Sequence, residues 1–412
     1  MKKLKRILLI NGEYPPISGG GGIYTYNLAN GIATGYPDLQ VMVLAGARDI
    51  SSISLEENPL PNLKILRYPE LYLIDQGMTH IWKVSAIVKG VISSYRPDIV
   101  HSHHTYESFA ASLCKEFYKF GLVITVQKSP VSNPQDYRKD SQWDFISFLY
   151  KRGFYDGIIV NSKAYFDTAR FLGARDPIRL IYYGIDKSNF SEDTTLRNQI
   201  RKRLCLGKDD FLVFCPSRID ERKGIDILIE AIANIKKISP PIYSKIKVII
   251  AGAKTTNSSE DYFCSLERLV KRYNLTRLFK LGYEGGAYNK MNGLYNASDL
   301  VVIPSLREGL GFSALEAMKV KRPVLASDTV GLKEIIVDQK NGLSFKVGDP
   351  VELAEKLIWC FSNKKKLQKI ALSGFSYQKD KFNIPKMVKE HLLFYESIIK
   401  KLNKLCQKGF AS

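Results

Sequence analysis

Residues 301–317 read VVIPSLREGLGFSALEA. An apolar run ends at Pro304, a loop carries Arg307 and Glu308, and a helical pattern begins near Gly311, Phe312 and Ser313. A short buried strand, a loop and a helix make the building unit of a parallel sheet covered on both faces. The unit recurs in both directions. Apolar runs at 211–215, 247–252, 279–281, 300–303 and 323–326 alternate with helical segments such as 225–238. An earlier series occupies 7–11, 40–45, 99–101, 122–126, 157–161 and 178–182. Its first run is followed by a Pro/Gly-rich loop at 14–22 and a helical pattern at 23–33. Residues 186–210, between the series, are polar and charged. The pattern predicts an α/β chain of two Rossmann-like, doubly wound parallel-sheet domains, 1–190 and 191–385, facing each other across a cleft. Residues 386–412 read as a basic amphipathic helix and tail, with Met387, Leu392, Tyr395, Ile398, Ile399 and Leu402 at helical spacing. That helix could pack back across the N-terminal domain.

Composition narrows the class. The chain has 412 residues, 45% hydrophobic and 25% charged, which excludes a disordered or fibrous protein. Six cysteines are scattered without a C-x-x-C pair, so a zinc ribbon, a redox dithiol and a disulfide scaffold are not expected, and the thiols read as reduced and cytosolic. The basic start is followed by an apolar stretch of only 7–10, too short for a secretory signal. No stretch reaches the ~18 apolar residues of a transmembrane helix, so a soluble cytoplasmic protein, at most peripheral at the inner membrane face, is expected. Net charge is +20, with +9 carried by residues 361–412. Such a basic segment suits a polyanion, an anionic membrane or a phosphate-bearing small molecule, or is a solvated lysine face.

Ligands of open α/β sheets bind at the carboxyl ends of the strands, so the loops after each run are where chemistry is expected. In 301–317, Glu308 and Glu316 are eight residues apart, about 12 Å along a continuous helix. With Glu308 in the loop instead, both carboxylates can face one ligand from different heights. Between them the amides of Gly311, Phe312 and Ser313 head a helix, a natural diphosphate cradle. A nucleotide-sugar, with hydroxyls on both sides of a diphosphate, fits that arrangement; a capping acid and an exposed glutamate is the plainer alternative. A second segment, CPSRIDERKG at 215–224, places Arg218 and Lys223 on a loop entering a helix. Two cations there could stabilise a departing diphosphate without a metal, or be ordinary surface charge. A third, YPPISGGGGIYTY at 14–26, carries Gly19, Gly20, Gly21 and Gly22. These permit close backbone approach, but the G-x-G-x-x-G/A dinucleotide fingerprint fails there. The fourth, VHSHH at 100–104, holds three of the five histidines. Their spacing follows no zinc motif, so a substrate-orienting or proton-handling histidine is the functional reading, and a buried core histidine the alternative for His101.

With these segments in this order, the chain resembles the retaining glycosyltransferases of the GT-B fold, family four, over nearly its whole length. EGLGFSALEAM matches the family's E-x7-E motif at Glu308 and Glu316. Pro15-Pro16 with the following glycines, the R-x4-K of Arg218 and Lys223, ASDTVGLKEII at 326–336 and NGLSF at 341–345 agree. The resemblance implies that Glu316 holds the ribose hydroxyls and Glu308 contacts the transferred sugar. It implies that Arg218, Lys223 and the amides of Gly311, Phe312 and Ser313 bind the diphosphate. Gly20, Gly21 and Gly22 would approach the phosphates and acceptor, and His103 would sit beside sugar and acceptor. The family needs no metal or other cofactor; the nucleotide-diphosphate sugar is a co-substrate. The acceptor would be a glycan, a lipid-linked or a small-molecule hydroxyl. Base choice would depend on backbone near Gly282 and Tyr283. One departure is Gln127, standing where many relatives carry a histidine; it cannot titrate. A GT-B epimerase or phosphorylase-like enzyme is the alternative on the same fold. A basic nucleic-acid binder is a remote one, because no helix-turn-helix, RNA-recognition or zinc-finger signature accompanies the charge.

Overall fold

The apolar segment RILLIN forms strand β1 (Arg6–Asn11), buried throughout after Arg6. The computed structural model describes residues 3–17, 20–47, 55–72, 77–125, 141–185, 190–252, 257–276, 279–280 and 288–408. Gly19, Gln127, Gly282 and Tyr283 lie outside them. The chain divides into two units, Met1–Gly184 with Asn383–Ser412, and Ile185–Phe382.

In the first unit the described strands are β1, β2 (Gln40–Gly46), β3 (Glu56–Leu60), β4 (Leu63–Tyr68), β5 (Ile99–Ser102), β6 (Gly121–Ile124), β7 (Gly157–Val160) and β8 (Ile178–Leu180). Their order is β3-β4-β2-β1-β5-β6-β7-β8. β1 pairs in parallel with β2 and β5, Ile7 lying opposite Val41 and Ile99. Continuous apolar runs suit strands buried on both faces. β3 departs from the expected all-parallel sheet: it is antiparallel to β4, largely exposed, and carries Pro59 at the sheet edge.

The helix after β1 spans Gly20–Gly35, so it starts three positions before the expected 23. Gly20, Gly21 and Gly22 are therefore its first turn and not a loop. A Cβ at Gly22 would lie 1.6 Å from the Glu13 carbonyl oxygen.

The second unit contains β9 (Phe211–Pro216), β10 (Ile246–Ala251), β11 (Phe279–Lys280), β12 (Leu300–Ile303), β13 (Val324–Ser327) and β14 (Leu343–Phe345), in the order β11-β10-β9-β12-β13-β14 and parallel throughout. Its two ends close on each other where Ile185 N donates to the Phe382 carbonyl at 3.0 Å. The unit thus begins ahead of the expected 191 and ends ahead of 385.

The C-terminal helix, Ile384–Lys408, groups with the first unit. Met387, Leu392, Tyr395, Ile398 and Ile399 are buried and Leu402 half-buried. Gly31, Gly121 and Gly157 make room for it: a Cβ on any of them would come within 2.7 Å of Ile384, Ile398 or Phe394. The apolar stripe is therefore covered, and Lys386, Lys389, Lys400, Lys401 and Lys404 face outward. Among the described residues, no helix is long and apolar enough to cross a membrane.

Candidate active site

In both sheets the strand order reverses beside the first strand of the series, between β1 and β5 and between β9 and β12. The carboxyl ends of those strands are the crevices where doubly wound sheets take ligands.

At the β9/β12 edge, β9 runs into Ser217, Arg218 and a 3-10 turn, Glu221–Lys223, whose start is capped by the Asp220 carboxylate. Gly224, with φ of 60°, turns the chain into the helix Ile225–Ile238. Only glycine fits: a Cβ there would meet the Pro304 carbonyl oxygen at 2.1 Å. The loop after β12 is tied to this turn, Leu306 N donating to the Arg222 carbonyl at 2.8 Å. The two loops thereby bring Lys223 Nζ to 2.6 Å from Glu308 Oε2, an oxygen that also accepts from Ser305 Oγ at 3.3 Å. Both side chains of the ion pair are largely buried.

Gly311, at φ 94°, is the residue before the helix Phe312–Lys319. The ladder begins with Ala314 N donating to the Gly311 carbonyl, so the amides of Gly311, Phe312 and Ser313 lie outside it. Ser313 Oγ donates to the Pro216 carbonyl at 3.1 Å, pinning this helix start to the end of β9. Glu316 lies one turn further in, buried, its Oε2 accepting from the Tyr295 hydroxyl at 2.6 Å. Tyr295 is itself wedged edge-on against Phe190 and Phe214.

Of the residues singled out from sequence, Lys223 and Glu308 are in direct contact, and Ser313 joins them through the β9 end. Arg218 stands exposed on the same loop. Its charge helps hold the Asp220 carboxyl below its usual range, behind the nearer Arg222. Lys223, expected as a cation for a phosphate, has its charge matched by Glu308. Tyr295 was not legible in sequence, since it meets Glu316 only through the fold, and Ser305, three residues before Glu308 on the same loop, was passed over.

At the β1/β5 edge, Asn11 is a hub. Its Nδ2 donates to the Gly21 carbonyl at 3.0 Å and Thr25 Oγ1 at 2.6 Å, while its Oδ1 accepts from Glu13 N and His104 Nε2, both at 2.9 Å. His103 follows β5, its backbone N–H donating to the Ile10 carbonyl at 3.0 Å. Its ring is fully buried, and neither nitrogen has a hydrogen-bond partner among the described residues. Burial, with the neighbouring His104 and His391, holds it neutral, well below the usual histidine range. Among the described residues, no three His, Cys, Asp or Glu side chains gather as a metal site.

Two family descriptions match this chain, glycosyl transferases group 1 over 197–375 and glycosyltransferase family 4 over 18–189. The chain belongs to the family 4 glycosyltransferases. A glycosyltransferase of Methanocaldococcus jannaschii, itself uncharacterized, is 25% identical over 392 residues, covering 95% of this chain and 98% of the relative. Sucrose-phosphate synthase of Thermosynechococcus elongatus superimposes with a TM-score of 0.80 at 21% identity, over 99% of each chain. Anabaena HepE, solved with UDP and glucose, gives 0.77 at 22% identity, over 95% of this chain and 100% of that one. These likenesses establish the fold of this glycosyltransferase as GT-B, two Rossmann-like parallel-sheet domains.

Proposed function

We propose that this glycosyltransferase moves a hexosyl group from a nucleotide-diphosphate sugar to a hydroxyl acceptor with retention of configuration and without a metal. The observation that carries the reading is the β9/β12 edge: a helix start flanked by two carboxylates, Glu308 and Glu316, with Lys223 and Arg218 beside it. The UDP and glucose held by Anabaena HepE support the donor class.

In this reading the amides of Gly311, Phe312 and Ser313 and the Arg218 guanidinium take the diphosphate. Glu316, positioned by its hydrogen bond from Tyr295, contacts the ribose hydroxyls. Glu308 contacts the sugar, and Lys223, held at that carboxylate, faces the departing phosphate. The bond from C1 to the phosphate oxygen breaks and the acceptor oxygen bonds to C1 on the same face. The acceptor's proton passes to the departing phosphate oxygen. Charge grows on that phosphate as the bond breaks, which is where fixed cations lower the barrier. Neutral His103 orients sugar and acceptor by hydrogen bonding and does not act as an acid.

Thermal-shift measurements across UDP-, GDP- and ADP-sugars test this, since a ligand of the folded state raises its stability by mass action. One donor should stabilise the protein, less so in Glu316→Ala. With that donor, Arg218→Ala and Lys223→Ala should slow turnover on the order of 100-fold, while EDTA leaves wild-type turnover unchanged. No stabilisation by any donor, or undiminished turnover in all three variants, would overturn the reading.

A further inference from the structure

His103 poses a problem of positioning. Its ring is fully buried and makes no hydrogen bond among the described residues, so packing alone sets its orientation. It lies tilted against His101, with centroids 4.2 Å apart and planes at 34°, and meets the edge of Tyr24 at 5.2 Å. A ring held by contact keeps its angle only as well as its neighbours keep theirs.

Both neighbours are fixed from the C-terminal helix. At His391 the donor in each bond can be worked out from one end. The Met387 carbonyl can only accept, and His391 Nδ1 lies 2.7 Å from it, so Nδ1 carries the proton. Burial lowers the His391 pKa to about 4, so the ring is neutral and Nε2 is an acceptor. The Tyr24 hydroxyl at that nitrogen therefore donates. On the other side of His103, His101 is held at both ring nitrogens: Nε2 lies 2.8 Å from Thr125 Oγ1 and Nδ1 2.7 Å from the Tyr395 hydroxyl. Burial keeps that ring neutral as well. Two short chains result, one from Tyr24 through His391 to the Met387 carbonyl and one joining Thr125, His101 and Tyr395. Both are anchored on the same helix, and within each the links polarise one another.

We propose that Tyr395 and His391 of the C-terminal helix are positioning residues for His103, fixing the angle of its ring through His101 and Tyr24 while neither of its nitrogens has a partner among the described residues. The helix is then part of the machinery of transfer as well as a cover for the sheet. This rests on the assignment of His103 to the reaction, and the test separates the two.

The full-length protein contains five histidines, few enough for ring 15N spectra to be assigned by substitution. Wild-type spectra should show His101 as a single neutral tautomer and His391 protonated on Nδ1. Tyr395→Phe, which keeps the ring and removes one hydroxyl, should abolish the single His101 tautomer and shift the His103 ring signals. His391→Leu should shift them too, and His391→Gln, able to accept from Tyr24, should restore them. With the donor selected by thermal shift, Tyr395→Phe should lower kcat by about 10- to 100-fold, the scale of misplacing a reacting group by about 1 Å. The donor KM should stay unchanged. In a His103→Ala background the same substitution should cost nothing further. His103 signals that stay put in Tyr395→Phe and His391→Leu, or losses that multiply in the double variant, would overturn the positioning role. Full activity in His103→Ala would instead remove the assignment on which it rests.

Discussion

At position 22 the constraint is a single carbonyl oxygen. An alanine methyl would sit 1.6 Å from the Glu13 oxygen, and that oxygen belongs to backbone anchored through the Glu13 N–H to Asn11. No rotamer change can relieve the clash, so the helix start must lift off β1. Gly22→Ala is expected to cost about 3 kcal/mol or more, at the upper end of overpacking effects, read as a lowered urea midpoint. An unchanged midpoint would show that the Glu13 carbonyl can yield. The run of glycines was legible in sequence, and its reading as close backbone approach holds at Gly22, but the partner is the protein's own chain. The spacing of Glu308 and Glu316 was legible for the same reason that motifs are: both lie on one strand–loop–helix segment. Tyr295 was not, because it reaches Glu316 from a separate helix and its hydroxyl carries no sequence mark. The pairing of Lys223 with Glu308 was hidden likewise, depending on two loops that meet only when β9 and β12 lie side by side.

Among elements, strands with unbroken apolar runs were readable within a residue or two, whereas β3, β4 and the three-residue β14 were missed. β3, EENPL, lacks any apolar run, and β4 alternates buried and half-buried positions at an edge covered by that polar strand. The C-terminal helix was visible from its apolar spacing, but its polar contacts were not: His391 and Tyr395 lie on the stripe that reads as core. Their burial makes a pH prediction. His101, His103 and His391 all have depressed pKa values, with desolvation as the leading cause. The unfolded chain therefore takes up protons before the folded one does, and stability is complete above the unfolded value near 6.5. It declines as pH falls from there toward the His391 value of about 4. The slope is roughly 1 kcal/mol per pH unit for each histidine that stays neutral in the fold. The opening free energy that hydrogen exchange reports for β5, which carries His101, should fall between pH 6.5 and 5, and less steeply in His391→Gln. A flat profile over that range would mean that these rings take up protons without opening the fold.

For the whole molecule, the chain path sets what can be separated. Ile185–Phe382 is one continuous stretch whose ends are joined by a backbone hydrogen bond, so cutting it out breaks no strand of its sheet. The first unit is discontinuous and needs the last helix, which buries Met387, Val388, Leu392, Phe394, Tyr395, Ile398 and Ile399. Burying one large apolar side chain contributes about 1.5–3 kcal/mol. Seven of them supply a gross term of about 10 kcal/mol or more, comparable to the entire net stability of a domain at about 5–15 kcal/mol. The same truncation also removes the partners of Tyr24 and His101, leaving buried polar groups unsatisfied at further cost. A chain ending at Phe382 should therefore lose cooperative folding of its first unit. The excised 185–382 fragment should fold alone, with dispersed amide NMR signals and a single urea transition. If the truncated chain kept two cooperative transitions at wild-type midpoints, the helix would be an accessory, and the burial that assigns it to the first unit would carry little free energy.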